Sequence, residues 1–322
     1  MADMIVACRT AAGPHLSQRN HDRKRRTVTH ENPGLHHLKV GDVVVTALND
    51  GQFDADLAWV TGIDAAAATA LLRDGFRVLP PRITVNCFLL RIGGRHVLVD
   101  AGAGGAFGHV LGHAKARLAA LGVAPDAIDA VLVTHAHVDH VTGLLDAAGG
   151  AAFPNAEIVV NKAETDFWLD PEARARAPAA AQDGFATAER GLAPYRARMR
   201  LVGDGDEVLP GVTARHLPGH TPGHTGWLVA SGGDSLLIWG DVVHLPAIQF
   251  AHPQAGMAFD TDGEQARTTR ARALDMAATD RLKIAGMHLD FPTFGHVRRA
   301  GGAYAFEPLV WAPTEAGLFA VA

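Results

Sequence analysis

The sequence predicts an α+β fold in which two β-layers pack face to face and helices cover their outer surfaces. Short apolar, β-branched runs cluster in two groups along the chain, before and after an Ala- and Arg-rich stretch at residues 171–200. Helical patterns follow the strands in each group. No internal repeat and no Pro- or Ser-rich linker divides the chain. We therefore expect one domain over residues 35–322.

The first group of strands follows a polar segment. Residues 1–34 lack apolar periodicity and end in the turn signal Asn32-Pro33-Gly34, so we expect a loosely ordered N-terminal arm. Regular structure is expected from near Leu38. The predicted strands are Val43–Leu48, Val85–Ile92, His96–Val99, Ala130–Val133 and Glu157–Val160. The predicted helices are Ala65–Arg73, Ala106–Leu121, a short one at Leu144-Leu145 and one that ends at Trp168.

Turn and cap residues mark several of these boundaries. Asp64 stands at the N-cap position of the first, Ala-rich helix. Asn49-Asp50-Gly51 is expected to turn the chain after the first strand. Gly93-Gly94 is a two-residue turn that predicts a hairpin between its flanking strands.

The second group of strands follows residues 171–200. Pro171, Pro178 and Pro194 interrupt that stretch, which we expect to be helical in pieces and to form a lid-like insertion. After it, the predicted strands are Val212–His216, Gly226–Ala230, Leu236–Trp239 and a final strand Ile284–Met287, with a helix at Ala266–Ala278.

Composition excludes several classes of protein. The net charge of −5 gives no electrostatic reason to expect a nucleic-acid partner. Two cysteines, Cys8 and Cys87, do not make a disulfide framework. No apolar run is long enough to span a membrane, and no secretory signal is visible, so a cytoplasmic protein is expected.

The chemistry-bearing motif is Thr134-His135-Ala136-His137-Val138-Asp139-His140, directly after a predicted buried strand. Residues two apart in extended backbone point the same way, so His135 and His137 can address one ion. Asp139 and His140 lie where the chain turns into a helix and can face a second ion. Imidazole nitrogen and carboxylate oxygen suit zinc and similar divalent metals. A single His in an apolar region is more often a core residue, but this spacing at a strand end favours metal binding.

Three further ligand types stand at the ends of predicted strands. His220 lies in Gly219-His220-Thr221-Pro222-Gly223-His224, where Pro and Gly fix a tight turn. Asp241 follows a strand and Gly240, and His288 follows the final predicted strand. Strand ends on a rigid scaffold position side chains accurately.

Together these motifs resemble the metallo-β-lactamase superfamily, in its hydrolase branch with two fully ligated metals. The resemblance runs from about Leu38 to about Trp311. It is closest to the methyl parathion hydrolase and quorum-quenching lactonase group, which is similar in stretches such as Trp239-Gly240-Asp241 and His288-Leu289-Asp290-Phe291-Pro292. It implies a four-layer αβ/βα sandwich, a homodimer and two divalent ions, with zinc as the default.

The resemblance also implies how the ligands divide. The first ion would take His135, His137 and His220. The second would take Asp139, His140 and His288, and Asp241 would bridge the two. Asp100 resembles an element that stabilises the metal-binding loops.

Some neighbouring residues have two possible roles. His224 is expected to be a structural partner of the site, and His216 a packing or surface residue. Four aromatic residues could equally line a substrate pocket or form plain core, namely Trp168, Phe185, Phe250 and Phe259.

The expected function is hydrolysis of a small-molecule ester or lactone by a hydroxide that bridges two ions. Asp241 and Asp139 would act in catalysis together with His244, which lies three residues after Asp241. Related lactonases carry a Tyr at that position. A His there can assist the leaving oxygen and suits an aryl ester or aryl-fused lactone, with organophosphate triesters as promiscuous substrates.

Other functional classes fit the sequence less well. A glyoxalase II-like thioesterase shares all seven ligands but would need a basic C-terminal region for its substrate. A true β-lactamase usually lacks the complete ligand set. A nuclease would need a basic cleft, and an iron-based redox relative would need a flavodoxin domain. The non-enzyme alternative is a metal-binding scaffold, although buried His and Asp clusters are costly without a metal.

Overall fold

The computed structural model describes residues 33–312, so most of the predicted N-terminal arm lies outside the described residues. The strands are β1 (Leu35–Val40), β2 (Val43–Asp54), β3 (Val60–Thr61), β4 (Arg82–Ile92), β5 (Arg95–Val99), β6 (Ala130–Leu132), β7 (Glu157–Asn161), β8 (Met199–Val202), β9 (Glu207–Leu209), β10 (Val212–His216), β11 (Thr225–Ser231), β12 (Asp234–Ile238), β13 (Gly256–Met257), β14 (Lys283–Ala285), β15 (Gly295–Ala300) and β16 (Ala303–Pro308). The helices are α1 (Ala65–Asp74), α2 (Ala114–Ala120), α3 (Val138–Val141), α4 (Lys162–Trp168), α5 (Pro171–Arg176), α6 (Gln182–Leu192), α7 (Pro246–Gln249) and α8 (Gly263–Thr279).

Two seven-stranded sheets form the scaffold. The first has the order β1-β2-β4-β5-β6-β7-β8, and the second has the order β16-β15-β14-β12-β11-β10-β9. Strands β5 to β8 run parallel to one another, and β12 runs parallel to β14. Strands β3 and β13 form a small separate pair.

Successive side chains of a strand point to opposite faces of its sheet, so the apolar residues form three packed layers. On β4, Phe88 and Leu90 face the second sheet, whereas Leu89 faces the helices that cover the first sheet. On β12, Ile238 faces the first sheet and Leu237 faces α8. The order of layers is therefore helix, sheet, sheet, helix, and the predicted α+β sandwich is confirmed. In the described residues, no helix is long and apolar enough to cross a membrane.

The hairpin at Gly93-Gly94 and the helix capped by Asp64 are confirmed, and the Asp64 carboxylate accepts a hydrogen bond from the Ala67 N–H at 2.8 Å. The turn predicted at Asn49-Asp50-Gly51 is wrong. Strand β2 continues through these residues with a β-bulge against β4. The buried Asp50 carboxylate accepts three backbone N–H groups from residues 103–114, which holds this polar segment inside the fold.

Two further predictions need correction. The helix predicted at Ala106–Leu121 shortens to α2, because Gly108 and Gly112 adopt positive φ and the chain turns before it. The strand near residue 284 is not the last one, because the β15–β16 hairpin extends the second sheet. Residues 171–200 are helical in pieces, as predicted.

Candidate metal centre

The first histidine pair is held where β6 ends. The Asp100 carboxylate accepts the Thr134 N–H and the Thr134 hydroxyl, each at 2.7 Å, which fixes the chain just before His135. The backbone at His137 is extended (φ −72°, ψ 162°), and the rings of His135 and His137 lie with their centroids 4.6 Å apart. Both imidazoles therefore address the same small volume.

Asp139 and His140 follow in the first turn of α3. Nδ1 of His140 lies 2.7 Å from the second oxygen of Asp100, so the same buried carboxylate fixes this ring as well. Its Nε2 is thereby directed inwards, 3.6 Å from Asp139 Oδ1 and 3.3 Å from Asp241 Oδ2.

The remaining ligand candidates come from the second sheet. His220 lies in the loop after β10, and its Nδ1 is 2.8 Å from Asp260 Oδ1. His288 follows β14, and its Nδ1 is 2.8 Å from the Thr84 carbonyl oxygen. In both rings a hydrogen bond at Nδ1 leaves Nε2 free to face the centre, which is how ligating histidines are commonly oriented.

Asp241 lies at the middle of this arrangement. Its Oδ2 is surrounded by the Nε2 atoms of five histidines, at 3.5 Å for His135, 3.3 Å for His140, 3.4 Å for His220, 3.2 Å for His244 and 2.9 Å for His288. Four groups in the described residues have ligand atoms close enough to share an ion. Two of them, His135, His137 and His220, and Asp139, His140 and His288, are the ligand sets expected from the sequence. The other two contain Asp241, once with His135 and His140 and once with His220 and His244.

The donor set fits a bound cation. Asp241 Oδ1 and His140 Nε2 are buried and have no hydrogen-bond partner in the described residues. Buried polar atoms without partners are rare and costly, so each such atom needs an explanation. Divalent metal ions would satisfy these atoms, and nitrogen with carboxylate oxygen is a donor set that zinc accepts.

The electrostatics of the centre also favour positive charge. Burial alone would raise the pKa of Asp241, but the imidazoles of His140, His288 and His135 outweigh it and hold that pKa well below its usual range. Burial lowers the pKa of His220, but the carboxylates of Asp241 and Asp260 outweigh it and raise the pKa to about 9. The centre thus holds an ionised carboxylate among groups that bind either protons or a metal.

Comparison with known proteins identifies the family. A family model described as "Metallo-beta-lactamase superfamily" matches residues 80–288. The chain belongs to the metallo-beta-lactamase superfamily. A crystal structure titled "hydrolase AbOPH in beta lactamase superfamily" is similar at 32% identity and a TM-score of 0.83, covering 87% of this chain and 99% of that one. The dizinc quorum-quenching lactonase AidC, in complex with a product, has a TM-score of 0.81 over 87% of this chain and 99% of its own; at 24% identity it supports the fold alone.

Curated relatives match over shorter stretches. An N-acyl homoserine lactonase of Bacillus sp is 32% identical over 109 residues, which is 34% of this chain and 36% of the relative. The uncharacterized protein YobT of Bacillus subtilis (strain 168) is 29% identical over 168 residues, which is 52% of this chain and 65% of the relative. The chain thus spans less than two thirds of the length of each.

His224, the second histidine in the loop after β10, supports the ligand candidates but is not one of them. Its Nδ1 donates to the Leu217 carbonyl at 2.8 Å, and its Nε2 accepts the Asp241 N–H at 2.9 Å. Burial and the positive field of His220 lower its pKa to about 3, so the ring stays neutral. Gly240 has φ +62°, and a Cβ at this position would lie 2.4 Å from His224 Nε2, so only glycine fits beside the ring.

A cavity of about 400 Å³ opens beside this cluster of His and Asp residues. Aromatic and aliphatic side chains form most of its wall, namely Phe53, Trp59, Ile83, Phe107, Val138 and Phe259. The members of the cluster that line it are His137, Asp139, Asp241, His244 and His288. Of the described residues, no Lys or Arg lines this cavity. A larger groove of about 1110 Å³ adjoins it along α4 to α6.

The four aromatic residues with two expected roles divide between pocket and core. Phe259 lines both the cavity and the groove, and Trp168 and Phe185 line the groove. Phe250 packs against Trp239 beneath α8 and is a core residue. His216 is half-buried, and its Nε2 is 2.8 Å from the Pro222 carbonyl oxygen.

Three polar residues with buried side chains help to shape the site and were not predicted from the sequence. Glu164 accepts hydrogen bonds from both loops that carry the first histidine group. Asp260 orients His220. The sequence pointed to this segment, because Asp260 directly follows Phe259 in a stretch that resembles the family. Arg270 donates to the carbonyls of Val242 and Ala255, each at 2.7 Å, although an arginine on a helix usually faces solvent.

Proposed function

We propose that this superfamily hydrolase binds two divalent ions, zinc by default, and cleaves uncharged esters and lactones. The observation that carries the proposal is the position of Asp241, whose Oδ2 lies among five histidine Nε2 atoms at the floor of an aromatic cavity. We assign the first ion to His135, His137 and His220. The second is assigned to Asp139, His140 and His288, with Asp241 shared between the two.

These His and Asp residues, with Asp241 shared, would hold two divalent ions, which when bound would supply a nucleophile near neutral pH and Lewis-acid polarisation of the scissile carbonyl. The protein's own residues prepare the place for both. Asp241 is held ionised between the two ligand groups, where it keeps them together and can accept a hydrogen bond from the nucleophile. Asp139 lines the cavity and is partly exposed, so it faces both the second ligand group and the substrate.

His244 is assigned to the substrate side of the centre. Its ring is buried, stacks on His288 with centroids 4.9 Å apart and lines the cavity. Neither ring nitrogen has a hydrogen-bond partner of good geometry in the described residues. We propose that it donates a hydrogen bond to the leaving oxygen of the substrate.

The cavity wall supports uncharged, partly aromatic substrates. Phe53 and Phe107 stack at 5.7 Å, and Trp59 and Phe259 meet edge to face at 6.4 Å, which offers flat apolar surface to an aryl group or an acyl chain. Asp139, Asp183 and Asp241 line the cavity and, of the described residues, no Lys or Arg does, which disfavours the carboxylates of β-lactams and glutathione thioesters. Uncharged phosphotriesters are proposed as secondary substrates. Residues 171–200, which border the groove, are proposed as a lid.

A substrate panel with the zinc-loaded protein tests this function. We expect p-nitrophenyl and naphthyl esters, dihydrocoumarin and acyl-homoserine lactones to give the highest kcat/KM. Paraoxon should follow, and benzylpenicillin, lactoylglutathione and RNA should be weakest. The Asp241→Ala variant serves as the control for contaminating esterases. A β-lactam, a glutathione thioester or RNA at the head of the ranking would refute the proposal.

A further inference from the structure

Glu164 is a fully buried carboxylate in the first turn of α4, and both of its oxygens are saturated by donors. Oε1 accepts the Ala136 N–H at 2.8 Å and the Trp168 Nε1–H at 2.7 Å. Oε2 accepts the Thr221 hydroxyl at 2.7 Å and the Gly223 N–H at 2.9 Å. One side chain thereby ties together three segments of the chain.

These segments carry the whole first ligand group. Ala136 lies between His135 and His137, so its N–H fixes the backbone of both. Thr221 follows His220 directly, and Gly223 closes the same turn. A Cβ at Gly223 would lie 2.1 Å from the Glu164 backbone nitrogen, so the turn and the helix approach as closely as glycine allows.

A second buried carboxylate, Asp100, contacts residues of both ligand groups. It binds Nδ1 of His140 and the N–H and hydroxyl of Thr134, and that hydroxyl oxygen lies 3.1 Å from Nδ1 of His135. No hydrogen bond joins Glu164 to Asp139, His140 or His288 in the described residues. The hydrogen bonds of Glu164 are therefore confined to the first ligand group, whereas those of Asp100 reach both.

We propose that Glu164 is a positioning residue that sets the affinity and residence time of the ion held by His135, His137 and His220. Asp100, which contacts both ligand groups, is not selective in this way. The inference rests on the proposed two-metal function and adds to it a selective role for one residue outside the ligand set. Replacing groups that orient metal ligands typically weakens metal binding about 10–100-fold.

Trp168 links this carboxylate to the wall of the groove. Its indole N–H is bound to Glu164, its ring meets His137 edge to face at 5.5 Å, and its other side packs on Phe185 of α6 at 4.8 Å. Trp168 therefore connects Glu164, which positions the first ligand group, to the surface that borders the substrate. A substitution at Trp168 should change the binding of the first ion through its effect on Glu164.

Release of zinc to a chromogenic chelator tests the assignment on the full, zinc-loaded chain. Glu164→Gln replaces one acceptor oxygen by an amide N–H₂. The Thr221 hydroxyl can turn and accept from this group, but the Gly223 N–H loses its acceptor and faces another donor. We expect one of the two ions to leave about 10–100-fold faster and the other to leave at the wild-type rate. Asp100→Asn is the matched control and should accelerate the loss of both ions, because Asp100 supports His140 directly and His135 through Thr134.

Ligand variants identify which ion is affected. In the His288→Ala background, which should retain the first ion, Glu164→Gln should accelerate loss of the remaining zinc. In the His137→Ala background, which should retain the second ion, Glu164→Gln should have no further effect. If Glu164→Gln does not fold, Thr221→Val and Trp168→Phe replace it. Each removes a single donor and keeps the carboxylate, so each should accelerate loss of the same ion by a smaller factor.

The outcomes separate this inference from the function on which it rests. Equal acceleration of both ions, or of neither, in folded variants overturns the role of Glu164 while two-metal hydrolysis stands. A wild-type chain that binds no zinc overturns the proposed function and this inference with it.

Discussion

The ring of His224 accepts a hydrogen bond from the backbone N–H of Asp241 at 2.9 Å, so a histidine beside the centre holds the central carboxylate by its main chain. His224→Leu should leave that N–H buried without a partner and lower the free energy of unfolding by about 1–3 kcal/mol. Urea denaturation of wild type and variant measures the difference. His216→Leu, at a half-buried ring at the end of β10, is the control and should have a smaller effect. Equal stability of the His224 variant and wild type would contradict this role.

Asp241→Ala should remove at least one of the two bound ions and nearly all hydrolysis, because its carboxylate lies between both ligand groups. Elemental analysis after gel filtration measures the metal content, and p-nitrophenyl acetate measures activity. Asp234→Ala is the control, since that carboxylate binds Lys283 at 2.6 Å within the second sheet. A variant that keeps both ions and most activity would exclude a bridging role for Asp241.

His244→Ala should leave both ions bound and slow substrates according to their leaving group. Hydrogen-bond or acid assistance is typically worth about 10²–10⁴-fold. Alkyl esters and alkyl lactones should lose most of that factor, whereas p-nitrophenyl esters should lose little, because nitrophenolate departs without help. His244→Gln keeps an N–H donor and should retain part of the rate. Equal losses for every leaving group, or loss of an ion, would remove His244 from the substrate side and favour its role in the group with His220 and Asp241.

We expect Gln249 to affect the reaction rate by positioning His244. Its Oε1 accepts the backbone N–H groups of His244 at 2.6 Å and Leu245 at 3.0 Å, and its Nε2 donates to the Ala255 carbonyl. Gln249→Leu should therefore slow the same substrates as His244→Ala, with the same dependence on the leaving group but with smaller losses of rate. Gln249→Glu keeps both acceptor bonds and is the matched control.

A double-mutant cycle tests whether the two residues act together. In the His244→Ala background, Gln249→Leu should change the leaving-group dependence no further, because the ring that it positions is gone. Additive effects of the two substitutions on that dependence would show that Gln249 acts on the enzyme in some other way.

The ligand candidates were predictable because local pattern alone places them. His135, His137, Asp139 and His140 follow a run of apolar residues, and a strand that ends in ligand types predicts a site without knowledge of what packs around it. The hairpin at Gly93-Gly94 was predictable for a similar reason, since two glycines in a row specify a tight turn.

The residues that support the site were not predictable, because their partners lie far along the chain. Glu164 and Arg270 are charged residues on helices, which usually face solvent, and only tertiary packing places backbone donors or carbonyls against them. Asp50 was misread for the same reason. Its neighbours specify a turn locally, but three distant N–H groups stabilise its carboxylate inside the fold.

Each proposed ion takes two ligands from the end of the first sheet and one from the second, with Asp241 also from the second. Bound metal would therefore act as a pair of cross-links between the two halves of the sandwich, in addition to the apolar contacts between them. Neither half could assemble a complete site alone, so the centre can form only when the sheets dock. Loss of metal should then loosen the junction of the halves before it disturbs the interior of either sheet, and amide hydrogen exchange would register that order of events.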